Sequence, residues 1–358
     1  MTSLSEHVVT YGNDKKILYY AAGPLQGPLL IFVHGWPAIA KTWIHQLTAF
    51  SALGFRVVAP DMPGYGGSTS NKVIEDYCQE SIVEGMVALL ADTGRDDAVW
   101  IGHDWGSGCV WSFVAHYPEK CRAVASLSVP YRCVELGLEE LLKWSNREIY
   151  PEDKYPHAQW GYQAFYEQDF EKATAWFDSG VAGFMKFIFA KRPLPQLGQP
   201  SGTARTVLDG GWFGGPEKSP TPPAEAAFDN AEFIASDELM DDVIKAMKKT
   251  GFFGADAYYA NHKRNRAYNT AEHVNPVLEM PVLYIEGKFD AICDTAVSSF
   301  ATPQQKYCKK LTSTSIDCGH WIQMEKPAEV NAALARWLAT EVKEYWPGFW
   351  KNGFVKNY

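Results

Sequence analysis

The chain predicts an α/β protein: a mostly parallel, eight-stranded sheet flanked by helices, with a helical cap inserted into it. Three observations carry that prediction. Apolar runs of strand length alternate with amphipathic stretches of helical period from residue 28 to about residue 130. The alternation then lapses for about 145 residues that still contain helical and aromatic segments. It resumes at Pro281 with only enough chain left to finish one sheet. The expected organisation is therefore a core over residues 1–130, a cap over 131–276 and the rest of the core over 277–358.

His7 to Tyr11 and Lys16 to Ala22 read as an opening antiparallel pair around the turn Gly12-Asn13-Asp14. Pro28 to Val33 is a continuous apolar strand, and His34-Gly35-Trp36-Pro37 follows it. Ala40 to Leu53 reads as a helix ended by Gly54, and Phe55 to Pro60 as the next strand. The Gly-rich loop Asp61 to Ser68 lacks the lysine and spacing of a phosphate-binding loop, so it reads as scaffolding. Val73 to Leu90 is a helix, Asp97 to Ile101 a buried strand, Ser107 to His116 a helix and Arg122 to Ser128 a strand. In the cap, Tyr162 to Phe170, Glu171 to Phe189 and Ala224 to Thr250 read as helical. Leu194 to Pro223 is a long irregular loop rich in Gly and Pro. Strands follow at Pro281 to Glu286 and Lys310 to Ile316, then a closing helix at Val330 to Val342. The aromatic tail Tyr345 to Trp350 packs on the core or on a neighbouring subunit, so a homodimer is one expected state.

Composition removes several function classes. The 358 residues carry a formal net charge of -9 with no long basic run, which argues against nucleic acid as a partner. Seven cysteines without paired metal spacing read as reduced thiols of a cytoplasmic protein. The N-terminal residues show no charged-then-apolar signal pattern, the last three are not a peroxisomal address, and no apolar run reaches membrane-spanning length.

The chemistry concentrates at Gly102-His103-Asp104-Trp105-Gly106, where a strand becomes a helix. Glycines two positions either side of a polar residue suit a nucleophile elbow, a turn that leaves little room for neighbouring side chains. Its central residue is Asp104, not serine. An ordinary carboxylate is ionised near neutral pH and needs no base to attack. It can alkylate itself on a saturated carbon, and the resulting ester then needs a base-activated water. On its own the stretch also admits a lesser reading, a helix cap made by an aspartate. The partners weigh against that reading: Asp290 and His320 also follow strands, in the chain order nucleophile, acid, histidine. His320 would take a proton from water while Asp290 orients its ring. Asp294 and Asp317 are rival acids in poorer positions, and His103 reads as a structural hydrogen-bonder. The backbone N–H groups of Trp36 and Trp105 are expected to form an oxyanion hole.

His34-Gly35-Trp36-Pro37, the elbow, and Cys318 to Pro327 together resemble soluble epoxide hydrolases of the α/β-hydrolase family. The elbow alone is shared with haloalkane dehalogenases, which often place asparagine where Trp36 stands. The resemblance implies hydration of lipophilic epoxides to vicinal diols, with a small-molecule epoxide as partner and no metal or organic cofactor. It also implies two cap tyrosines that meet the epoxide oxygen. The segments Gly161 to Tyr166 and Gly251 to Asn261 resemble their carriers, which selects Tyr162 and Tyr259, with Tyr166 and Tyr258 as neighbours that helix phase could favour instead. Trp36, Trp105 and Phe165 are expected to line the substrate pocket. Leu194 to Pro223 is longer than the usual connection in that family. Two other readings stay open: a dehalogenase using the same Asp104 ester, and a non-catalytic ligand receptor on a hydrolase scaffold.

Overall fold

The computed structural model describes residues 3–349. Trp350 of the aromatic tail, the last three residues and the first two lie outside the described residues. Among the described residues eight strands form one sheet in the order β1-β2-β4-β3-β5-β6-β7-β8. They are β1 (Ser5–Tyr11), β2 (Lys15–Ala22), β3 (Leu29–Val33), β4 (Arg56–Pro60), β5 (Ala98–His103), β6 (Cys121–Leu127), β7 (Leu278–Gly287) and β8 (Cys308–Ile316). β2 runs antiparallel to both β1 and β4, and every other pairing is parallel.

The unbroken apolar run of β3 follows from its place in the sheet. Leu29, Ile31 and Val33 face one core, and Leu30 and Phe32 face the other. A strand covered on both faces has no solvated side to fill with polar residues. The helix Gln79–Asp92 and the helix Trp105–His116 cover the first face with Ile82, Met86, Val110 and Phe113. Ile44–Ala52 and Pro327–Glu341 cover the second with Leu47, Phe50, Leu334 and Trp337. Tyr345 and Trp346 of the tail pack on this same core: the Tyr345 hydroxyl meets the backbone of Leu29, and Trp346 lies edge-on to Phe55.

Between β6 and β7 the chain makes no strand of the sheet and runs through helices instead. Two expected helices are corrected here. The stretch Glu171 to Phe189 is two helices, Phe170–Asp178 and Val181–Phe189, separated at Gly180. The ring of Pro222 stands 3.0 Å from where a Cβ on Gly180 would sit, so the loop beyond packs into the break. The stretch Ala224 to Thr250 holds only the short turn Glu225–Phe228 before the helix Asp237–Thr250 begins. The Ser236 hydroxyl accepts the Leu239 N–H and starts that helix, with Asp237 and Glu238 in its first turn. Residues 194–223 form an irregular loop with single turns at Gly202–Arg205 and Trp212–Gly214.

The order of the strands decides where a site can form. From β3 the chain steps to β4 on one side and then to β5 on the other. A parallel sheet opens a crevice at such a reversal, outside the carboxyl ends of its strands. The loops after β3, β5, β7 and β8 all leave from that end. Among the described residues no helix is long and apolar enough to cross a membrane.

Candidate active site

Asp104 follows β5 directly and has φ +53° and ψ -128°. A residue with a Cβ pays steric strain in that region, and such strain persists only where the surroundings enforce it. Two glycines are part of the enforcement. A Cβ on Gly106 would run into the carbonyl of Val33, and one on Gly35 would run into Asp104 Oδ1 and the Trp105 nitrogen. The loop after β3 therefore lies directly on the elbow. The result is a carboxylate, nearly buried, at the N-terminus of the helix Trp105–His116.

Two groups contact it, and a third holds the second of them. The Trp36 backbone N–H donates to Asp104 Oδ1 at 2.7 Å. His320 Nε2 lies 3.5 Å from Asp104 Oδ2. His320 Nδ1 donates to Asp290 Oδ2 at 2.7 Å. Asp290 Oδ1 accepts the N–H groups of Ile292 and Cys293 at 2.8 and 3.0 Å. The structure thus brings together the three side chains that stood in order along the chain. It does not bring in the rivals: Asp294 accepts from Gln159 Nε2 at 2.7 Å, and Asp317 pairs with Lys288 at the surface. His103 donates from Nε2 to the His320 carbonyl and accepts from Gln323 at Nδ1. Burial pushes its imidazole down to about 4, consistent with a neutral ring that holds the His320 loop.

The charges follow from burial set against partners. Burial alone would lower His320, but Asp290 and Asp104 outweigh it and hold the imidazolium above its ordinary range. Burial alone would raise Asp290, yet His320 and the two backbone donors hold its carboxyl below the usual value. Opposite shifts set opposite edges of a pH window. The raised His320 contributes stability that is complete below about pH 6.5 and lost as pH rises through its folded value. The lowered Asp290 contributes stability that is present above about pH 4 and lost as pH falls through its folded value. The stability difference between the wild type and His320→Gln should therefore be largest between those limits and narrow toward alkaline pH. Urea midpoints across the range measure it, and a difference that widened above pH 7 would contradict a charged resting pair.

The aromatic side chains sort by helix phase. Tyr162 and Gln163 line one cavity with Asp104, Trp105 and Cys293. The Gln163 amide donates to the Tyr162 hydroxyl at 3.1 Å, a role the sequence did not suggest. Tyr259 places its ring 5.6 Å from Tyr162 and 5.2 Å from Trp105. Burial drives both tyrosines well above their ordinary value, with the Asp104 charge adding to it, so both remain O–H donors. Of the neighbours, Tyr258 is committed to the Pro63 carbonyl at 2.9 Å, and the Tyr166 hydroxyl accepts the Trp212 indole N–H. Phe165 is a correction. It lines a different cavity, beyond Trp212, and not the one holding Asp104; Trp36 likewise does not line that cavity and meets Asp104 through its backbone N–H. At about 100° per residue, Gln163 and Phe165 leave the helix on opposite sides of Tyr162.

Further supports escaped the sequence. Asp256, fully buried, accepts the Trp36 indole N–H at 3.0 Å and the Thr174 hydroxyl at 3.3 Å. Glu325 accepts the N–H groups of Gly319 and Trp321 and so braces both sides of His320. Asp61 accepts from Ala40 and Gly67, which fastens the Gly-rich loop beside the site. Asp256 had no signal in the chain, because its partner lies 220 residues away. Glu325 could have been found as the carboxylate five residues after the histidine, facing a loop of bare N–H groups.

Among the described residues the one group of side chains close enough to share a metal ion is Asp290, Cys293 and His320. It fits a proton relay better. Both Asp290 oxygens already accept hydrogen bonds, and burial raises the Cys293 thiol, which disfavours the thiolate a metal would need.

The sequence pattern described as the alpha/beta hydrolase fold matches residues 28–327. The chain belongs to the α/β-hydrolase family. This α/β-hydrolase is 31% identical over 335 residues to Epoxide hydrolase A of Mycobacterium tuberculosis, covering 91% of this chain and 95% of that one. It is 31% identical over 318 residues to Bifunctional epoxide hydrolase 2 of Mus musculus, covering 88% of this chain and 52% of that protein. The α/β-hydrolase thus spans about half the length of that relative. In three dimensions it is similar to Epoxide Hydrolase A from Mycobacterium thermoresistibile, with a TM-score of 0.71 and 27% identity over 94% of this chain and 99% of that one.

Proposed function

We propose that this α/β-hydrolase is a cytoplasmic epoxide hydrolase that converts lipophilic epoxides to vicinal diols. The observation that carries the reading is an aspartate, not a serine, at the elbow, with a histidine 3.5 Å away, Tyr162 lining the same cavity and the Tyr259 ring packed 5.6 Å from that of Tyr162. The names of the relatives support it, and seven free thiols agree with a reducing compartment.

Tyr162 and Tyr259 donate to the epoxide oxygen. Asp104 attacks one ring carbon from the far side, so the C–O bond breaks as the ester C–O bond forms. The oxygen leaves as an alkoxide held by the tyrosines and takes up, through solvent, the proton that the resting imidazolium of His320 gives up, which leaves that ring neutral. His320, supported by Asp290, then removes a proton from water, and the hydroxide adds to the Asp104 carbonyl carbon. The Trp36 N–H already touches Oδ1 at 2.7 Å, where the tetrahedral anion develops, and Trp105 contributes the first N–H of the helix. Collapse of that anion releases the diol and restores the carboxylate. Residues 131–276 act as the cap that excludes water during the first step, with 1–130 and 277–358 as the core.

A dehalogenase would instead need indole N–H donors free for a halide. Those of Trp36, Trp160 and Trp212 are spent on Asp256, Ile292 and Tyr166, which leaves, among the described residues, the Trp105 indole beside Asp104 as the one such donor lining the cavity, so the assay and not the indoles decides between the two readings. The test is a panel of aryl and alkyl epoxides run beside a bromoalkane. Diol without bromide is the expected outcome; bromide release at comparable kcat/KM would favour the dehalogenase, and tight binding with no product would favour a receptor.

A further inference from the structure

Residues 194–223 contain Gly210-Gly211-Trp212-Phe213-Gly214-Gly215, an aromatic pair between glycine pairs that the reaction steps above leave unused. The turn is tightly wound: Gly210, Gly211, Phe213, Gly214 and Gly215 all have positive φ. Phe213 is held from outside by Trp176 and Phe187, while Trp212 points inward. The Trp212 indole N–H donates to the Tyr166 hydroxyl at 2.9 Å. Its ring centroid lies 6.3 Å from that of Trp36 and 6.3 Å from that of Tyr162, so it touches the wall of the site itself. On its other side the same side chain walls a second cavity of about 260 Å³, with Phe165, Trp176, Pro216 and Pro220 as apolar walls and Lys172 also lining it.

We propose that Trp212 is the specificity-determining partition between the active site and this outer cavity. It rests on the epoxide reading above and sets the size of the group a substrate can carry away from the attacked carbon. With the indole in place, a compact substituent fits and a long rigid one is refused. Without it, the two cavities join, and the Phe165–Trp176 cavity receives the distal group. The partition is fastened at its inner end by one hydrogen bond to Tyr166 and by ring contacts, and glycines flank it on both sides.

The test compares styrene oxide with 4-phenylstyrene oxide, which adds one rigid ring, on the wild type, Trp212→Ala, Trp212→Leu and Trp212→Phe. In Trp212→Ala the ratio of kcat/KM for the long epoxide over the short one should rise by about tenfold or more, carried mainly by KM. Trp212→Leu should give a smaller rise in the same direction, and it reads the partition if the alanine variant does not fold. Trp212→Phe keeps a ring but loses the N–H, and its ratio should stay within about threefold of the wild type. An unchanged ratio in a folded alanine or leucine variant that still makes diol overturns the partition and leaves the epoxide reading standing. No diol from either substrate in the wild type overturns both.

Discussion

His320→Gln should open epoxides and then stop, with turnover lowered by about 10⁴-fold or more and one equivalent of ester accumulating on Asp104. The two halves of the reaction ask different things of the imidazole. Ring opening needs only the carboxylate and the tyrosines, and the glutamine leaves Asp104 and its Trp36 contact in place. Ester hydrolysis needs a base aimed at water beside the Asp104 carbonyl carbon, which glutamine cannot supply. The electrostatics add an order of events. In the resting site the Asp104 charge helps keep His320 protonated. Once the carboxylate becomes a neutral ester, that influence is gone and the imidazole is freed to act as a base. Intact-mass measurement after single turnover should show an adduct equal to the epoxide in mass, mapped to Asp104. A wild-type rate of diol release from the glutamine variant, or an adduct on another residue, would remove His320 or Asp104 from these roles.

The second large effect is expected from Tyr162→Phe combined with Tyr259→Phe. An epoxide oxygen leaves as an alkoxide, a poor leaving group in a dry aromatic cavity unless donors meet the developing charge. Loss of one such donor costs about 10²-fold to 10³-fold, so the double variant should lose about 10⁴-fold or more in ring opening. The phenylalanine rings keep the packing of this cluster, where Tyr162 and Tyr259 touch each other and Tyr259 also touches Trp105 and Trp36. The measurement is the rate of adduct formation in the His320→Gln background, which isolates the first step. Near-normal alkylation by the double phenylalanine variant would mean that another group, with Tyr166 next in line, meets the oxygen.

How far each residue could be foreseen depends on the range of the force that places it. Asp104 is specified within five residues by a buried strand, two glycines and a following helix. Asp290 and His320 are specified by following strands that belong to the same parallel sheet. Gln163 was missed and Phe165 expected in its place, because which side of Tyr162 faces the cavity depends on how the helix Gly161–Gln168 is rolled against its neighbours. The break at Gly180 depends on Pro222, which reaches it from a loop 42 residues further on. Asp256 and Trp212 were invisible as partners of Trp36 and Tyr166, since buried pairs across an insertion leave no periodic trace.

The amino-acid order by itself determined a mostly parallel sheet and the succession of carboxylate, acid and imidazole along the chain. Those features rest on local periodicity, on turns that glycine alone can make and on the rule that parallel strands present their carboxyl ends together. Only the tertiary structure decided that Tyr162 lines the cavity with Asp104, what holds Trp36 in place and which rings Trp212 packs against. Those choices are made by side chains packing across more than one element, and such contacts have no fixed spacing in sequence.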